Sequence, residues 1–329
     1  MTGSDRRMNN LAGRWPATCL QAGGTITLTA GVFYLLLRHV DVGHAIALIR
    51  GMRVEYLLPM IVISLSGNIF MAADKLVRIL GAIQHPLSFR ESLFIRVGAS
   101  PIKFVIPAKV GEMVKGFYLQ RRHGIPFSEV VSALLFDKIS NLIGAMLILV
   151  IGTIATGLHR LPALGIIFTV AAGVLLFQKG GGRLVHWADR HEFPWKPTVL
   201  RLLRCFSHID EWTKGWLLIY SMVFTCTEII SSFLATRAMG LQIPFAEILF
   251  VIPIIIVIGN LPLTISGLGT REVAFVLLFA TYGSNEALFA TGVLVSLVEY
   301  AMLPVIGLLV MPFFLIRTFG GVRAEVKAS

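Results

Sequence analysis

The chain has 329 residues, 56% of them hydrophobic and 14% charged, with a net charge of +11. A mean hydropathy of +0.79 excludes the soluble classes, because several apolar runs exceed the roughly 18–20 residues that cross a bilayer as a helix. The positive charge forms no basic stripe on a polar domain with interleaved aromatics, so nucleic acid is not an expected partner. Cytoplasmic loops facing anionic headgroups account for it instead. Cys19, Cys205 and Cys226 are odd in number and unpaired in spacing, so neither a disulfide framework nor a metal site follows.

Arg6, Arg7 and Arg14 precede an apolar stretch at 17–37. It is too long for a signal-peptide core and lacks a small-residue cleavage site, so it reads as a retained helix. Further helices are expected at 56–73, 128–157, 161–178, 215–239 and 286–316. Segment 88–120 behaves differently, carrying Arg96, Lys103, Lys109, Glu112 and Lys115 beside Pro101 and Pro107. As a lipid-facing helix these charges cost about 12–17 kcal/mol, against about 3–7 kcal/mol returned by its apolar residues. Charged, irregular backbone at membrane depth is tolerated only inside protein or along a watery cavity. Segment 245–283 is broken by Pro253, Pro262 and the stretch 260–269, with Arg271 and Glu272 between two short apolar arms. Both segments read as re-entrant. The expected fold is an all-α polytopic membrane protein, a single integral membrane domain over 1–329, with about six full transmembrane helices plus two re-entrant helical hairpins.

Residues 179–214, with Trp187, Trp195, Trp212 and several basic residues, read as a cytoplasmic basic linker between halves 1–178 and 215–329. Its His186, His191 and His208 match no zinc spacing. Lys and Arg in loops concentrate on the side that holds both ends of the chain, leaving Arg38, Arg50, Arg53, Arg160 and Arg237 opposite. That asymmetry places both termini in the cytoplasm of a bacterial-type inner (plasma) membrane, with the 38–55 loop its weakest point. Lys75 and Arg78 read as interface markers. The hairpins then enter from opposite faces, as an inverted repeat requires. Pro101 precedes Glu112 much as Pro262 precedes Glu272, and each hairpin is followed by a helix with an acid, Asp137 or Glu299. Chance likeness of two Pro-broken helices is the competing account.

Two residue sets carry a resemblance. One is Pro107, Gly111–Glu112, Lys115, Gly124 and Asp137–Lys138; the other is Pro262, Gly267, Gly269, Arg271 and Glu272. Together, over roughly residues 50–315, they resemble the signatures of the transmembrane (flippase-like) region of bacterial lysylphosphatidylglycerol synthases and their stand-alone relatives. The resemblance implies movement of a polar-headed lipid across the bilayer. In the aminoacyl-lipid synthases that activity accompanies a soluble aminoacyltransferase domain, for which this sequence offers no stretch, so the synthase reaction is not carried over. Lys109 and Lys115 stand where Gly or Arg is more usual, which leaves the headgroup open.

A lipid transporter needs charges that replace headgroup solvation. Lys103, Lys109, Lys115 and Arg271 suit a phosphate, and broken helix ends near Gly111 and Gly269 offer backbone N–H groups to an anion. Glu112, Asp137 and Glu272 neutralise those cations or bind a cationic headgroup. Glu228 and Glu299, mid-helix without a local basic partner, are candidate coupling acids. Bland accounts stand beside these: Lys109, Glu112 and Lys115 as a local ion-pair ladder, Lys138 as a snorkelling side chain, Gly267 and Gly269 as packing residues. Expected partners are membrane lipids, an anionic phospholipid or a polyprenyl-phosphate-linked substrate, with a membrane enzyme as a further partner. No cofactor or metal is expected. Rival functions are an intramembrane headgroup enzyme, a non-transporting partner subunit and an ion-coupled small-solute transporter. Against the enzyme, H-x-x-x-x-D, H-E-x-x-H and G-x-S-x-G patterns are missing, and without a Walker motif direct ATP use is not expected.

Overall fold

The computed structural model describes residues 40–105, 112–157, 209–260 and 267–320, with Thr264 and scattered positions within 27–38 and 165–207. Every regular element among the described residues is helical. In chain order these are α1 (Val42–Arg50), α2 (Val54–Ala82), α3 (Phe89–Gly98), α4 (Ser100–Val105) and α5 (Met113–His123). Then follow α6 (Phe127–Ala155), α7 (Glu211–Ala238), α8 (Phe245–Asn260), α9 (Thr270–Leu278) and α10 (Asn285–Phe319). Four of them, α2, α6, α7 and α10, are long and apolar enough to cross a membrane. The expected helices at 17–37 and 161–178 lie largely outside the described residues, as do Lys109 and Gly111.

Helices α6, α7 and α10 fall close to the segments expected from the apolar runs. The segment expected at 56–73 instead continues to Ala82. Its supposed interface marker Lys75 is only 2% exposed, so the helix has no reason to stop there. Arg78 is exposed and pairs with Asp74 at 2.6 Å. The 38–55 stretch, expected as a loop, holds α1, whose Asp41 cap accepts from the His44 N–H. At nine residues it rises only about 13 Å, and Ala45 packs on Phe289 and Ala290 of α10. On α7, hydrogen bonds from the Thr213 side chain and N–H to the capping Asp210 hold its carboxyl below the ordinary value.

Pro253 does not break α8, contrary to expectation. It leaves the Leu249 carbonyl without its helical donor. That carbonyl faces Gly152 of α6, where an added Cβ would lie 2.7 Å from it. A glycine lets the neighbouring backbone close over the defect, one of the ways Pro is accommodated in membrane helices.

Helices α3 and α5 close into a hairpin. Glu91 near the start of α3 accepts from the Tyr118 hydroxyl and lies 3.6 Å from His123 at the end of α5. The end of α10 meets them there, through Arg317 at 3.9 Å from Glu91 and through Arg121, which donates to Thr318 O at 3.2 Å. Helices α8 and α9 form the second hairpin. Its open end gathers Leu241, Ile243, Phe279 and Leu288 beside the start of α10. The 35 residues of α10 span about 52 Å, so the two open ends lie at opposite ends of the molecule. Each hairpin packs on the long helix of the other half, α3 and α4 on α10, α8 on α6.

Two π-turns meet at the centre, Ser66–Met71 in α2 and Leu297–Ala301 in α10. Ser64 donates to Val298 O at 3.3 Å, and Asn68 Nδ2 donates to Glu299 Oε2 at 2.8 Å. Single π-turns inside α-helices occur frequently at functional sites.

Candidate functional site

Between the hairpin ends and helices α2, α6, α7 and α10 lies a cavity of about 390 Å³. Its wall carries the cations Lys75, Arg96, Lys103, Lys115, Lys138 and Arg271, and the acids Glu112, Asp137, Glu228 and Glu299. Asp137 lies about 15 Å along α6 and Glu299 about 21 Å along α10, each well inside a long apolar helix and not at its end.

Glu112, at the start of α5 and 8% exposed, is the hub of one charge cluster. Its Oε1 lies 2.8 Å from Lys103 Nζ and 3.3 Å from Lys138 Nζ, and its Oε2 lies 2.6 Å from Lys115 Nζ. The local Glu112–Lys115 pair expected from spacing is present, but α4 and α6 contribute the other lysines, so the cluster is more than a one-helix ladder. Lys103 and Lys138 keep 37% and 36% of their side chains open, whereas Lys115 keeps 5%. The first two are therefore the more open of the three lysines. Three cations on one carboxylate leave an excess of positive charge that a phosphate oxygen would meet.

A second cluster centres on Lys75. Its Nζ lies 3.1 Å from Asp137 Oδ1 and donates to Ser140 Oγ (2.8 Å), Asn141 Oδ1 (2.6 Å) and Ser221 Oγ (2.8 Å). Arg96 Nε donates to the Asn68 carbonyl within the π-turn of α2 at 2.9 Å.

Arg271, 8% exposed, stacks on Tyr300 with Cζ 3.4 Å from the ring centroid. A desolvated contact of this kind is worth about 2 kcal/mol. A Cβ at Gly259 would overlap the Arg271 side chain, and Gly267 has φ +78° with Arg271 Cζ 3.0 Å from its Cβ position. Only glycine fits both. Glu272 does not line the cavity. Its Oε2 accepts the Gly269 N–H at 2.6 Å, so that donor, expected to be open to an anion, is used within α9's own cap.

Glu228 and Glu299, 8% and 3% exposed, line the cavity from α7 and α10. Among the described residues no three His, Cys, Asp or Glu gather into a metal site.

A family model described as the lysylphosphatidylglycerol synthase TM region matches residues 22–307. The chain belongs to this family. A membrane protein concerned with lipid is what membership supports, in agreement with the four apolar helices. No curated protein matches the chain.

Of the residues singled out from sequence, Lys103, Glu112, Lys115, Asp137, Lys138, Glu228, Gly267, Arg271 and Glu299 come together around this one cavity. Gly269 and Glu272 stand behind it as the cap of α9. Sequence reasoning missed Lys75, Asn68 and Tyr300. Of these only Lys75 carried a signal, as a cation two residues beyond an apolar run.

Proposed function

We propose that this family member moves a phosphate-bearing lipid headgroup across the bilayer, by way of the charged cavity between its hairpins. The observation that carries the reading is the Glu112 cluster, with Lys103 and Lys138 each about one-third exposed and lining a cavity among the long apolar helices. Moving an ion into hydrocarbon costs of order 20 kcal/mol by ideal solvation arguments, and fixed ammonium and guanidinium groups replace the lost water. Glu112 engages the lysines; an arriving phosphate shares or displaces it. Arg271, planar and held on Tyr300, supplies a second phosphate contact from the opposite hairpin. Ile139 and Leu142, both exposed, line the same cavity with Phe224 and Val257, an apolar wall along which acyl tails run.

On this reading the hairpins are re-entrant and enter from opposite faces of an inner membrane, with both termini cytoplasmic. The substrate is an anionic phospholipid, an aminoacyl-phospholipid or a polyprenyl-phosphate-linked sugar. The protein transports and does not transform it; product formation from purified protein and candidate lipids would overturn that part.

The test is reconstitution into liposomes with headgroup-labelled anionic lipid, following protection of the label from an external quencher. Wild-type protein is expected to exchange label between leaflets. Arg271→Lys, which keeps the charge and loses the planar fork, is expected to slow exchange about tenfold or more. Full activity in Arg271→Lys and in Glu112→Gln would remove the cavity from the path.

A further inference from the structure

Adjoining the large cavity is a second, smaller void of about 20 Å³, room for about one water molecule. Glu228 from α7, Arg271 from α9, and Ser296, Glu299 and Tyr300 from α10 face it, and α8 contributes only apolar side chains and no charge. Glu299 Oε2 is held by Asn68, with the Ser64 and Ser231 hydroxyls near the carboxyl, while Oε1 is buried with no hydrogen bond of good geometry among the described residues; the same holds for Ser296 Oγ. A buried carboxylate oxygen in that condition calls for a proton, an ion or a water.

Charge counting selects among these. Two carboxylates and one guanidinium around one void carry an excess negative charge when both acids are ionised, and balance with one proton bound. A metal ion there would press against the Arg271 guanidinium. At the void itself α2 brings only neutral Asn68, and Glu272 is engaged by Gly269 N–H; Lys138 and Arg96 act on the Glu228 charge from the larger cavity, outside the void. Arg96, Lys75 and Lys138 face the larger cavity. Glu228, Arg271, Glu299 and Tyr300 line both spaces.

We infer that Glu228 and Glu299 hold one exchangeable proton between them, and that this proton is the coupling ion for headgroup passage. The inference rests on the transport reading above and adds its energy source. The proton leaves one carboxylate for water entering from the large cavity and returns by the same route. Arg271, in contact with both spaces, senses the change and holds the headgroup phosphate more loosely when both acids are ionised.

The experiment uses the same liposomes with a pH difference of about one unit and equal sodium on both sides. With one proton moved per lipid, the leaflet distribution of labelled anionic lipid is expected to shift by up to about tenfold. In Glu299→Gln and Glu228→Gln the distribution with and without the gradient is expected to be the same. Infrared pH-difference spectra of the purified protein give a second readout, a protonated-carboxyl band present in wild type and lost in Glu299→Gln. Lipid that moves but ignores the pH difference, or follows a sodium difference instead, overturns the proton site and leaves the transport reading standing. If no lipid moves, the transport reading falls. The infrared band then decides the proton site alone: its loss in Glu299→Gln upholds the site, and a wild type without any such band overturns it.

Discussion

At the scale of single residues, Lys75 makes the sharpest test of what supports the site. An ammonium has three donors, and here Asp137, Ser140, Asn141 and Ser221 surround it. Lys75→Met leaves the partly buried Asp137 without its nearest counter-charge, with Lys138 and Arg96 still near it, an expected cost below the about 3–5 kcal/mol of a fully buried broken pair. Lys75→Met with Asp137→Asn removes both charges, and most of that loss should return. Apparent Tm in detergent reads the cycle; additive single effects would show that the pair does not act as a unit. Glu112, Lys115, Lys138 and Arg271 were legible in the sequence because a charge inside an apolar run has no cheap explanation. Lys75 was not, since a lysine just beyond such a run looks like any interfacial residue. Its partner Asp137 lies 62 residues further on, a separation that no local pattern reports. Asn68 and Tyr300, uncharged, gave no signal.

Among the elements, the α6–α8 contact depends on close backbone approach. A Cβ at Gly152 would meet Phe250 Cα and Leu249 O at 2.7 Å. These are backbone atoms that cannot swing aside. Gly152→Val is expected to cost about 1–3 kcal/mol by forcing the helices apart, seen as a lower Tm, whereas an unchanged Tm would mean the contact is slack. The helices α6, α7 and α10 were legible because length and apolarity alone specify a span. The fate of Pro253 was not, because whether a proline ends a helix depends on who stands opposite its orphan carbonyl. The π-turns were equally hidden. They meet through Asn68–Glu299, with Ser64–Val298 one turn away, and that pairing is tertiary.

For the molecule as a whole, one end gathers Arg121, Arg122 and Arg317 with Glu91, and the other gathers Arg53, bonded through its N–H to Ala238 O, with Arg237. With the native cysteines replaced by serine, an impermeant maleimide applied to intact cells is expected to label Asn285→Cys and spare Gln120→Cys. The reverse pattern would invert the orientation, and labelling of both from outside would remove the opposed hairpins. The two charge-bearing segments that depart from simple spans were legible from Pro101, Pro262 and the charges near them. The exchange of partners between halves was not, because periodicity says which face of a helix is apolar and nothing about which helix covers it.

That exchange bears on how the chain is made. The first hairpin's long partner, α10, emerges from the ribosome roughly 200 residues later, about 10–40 s at ordinary synthesis rates. Throughout that interval α3 and α4, with Arg96 and Lys103, lack the surface on which they finally rest. A nascent chain cut short before α10 therefore leaves α3 and α4, with their charges, uncovered on that side, the kind of defect that membrane quality control can recognise and remove.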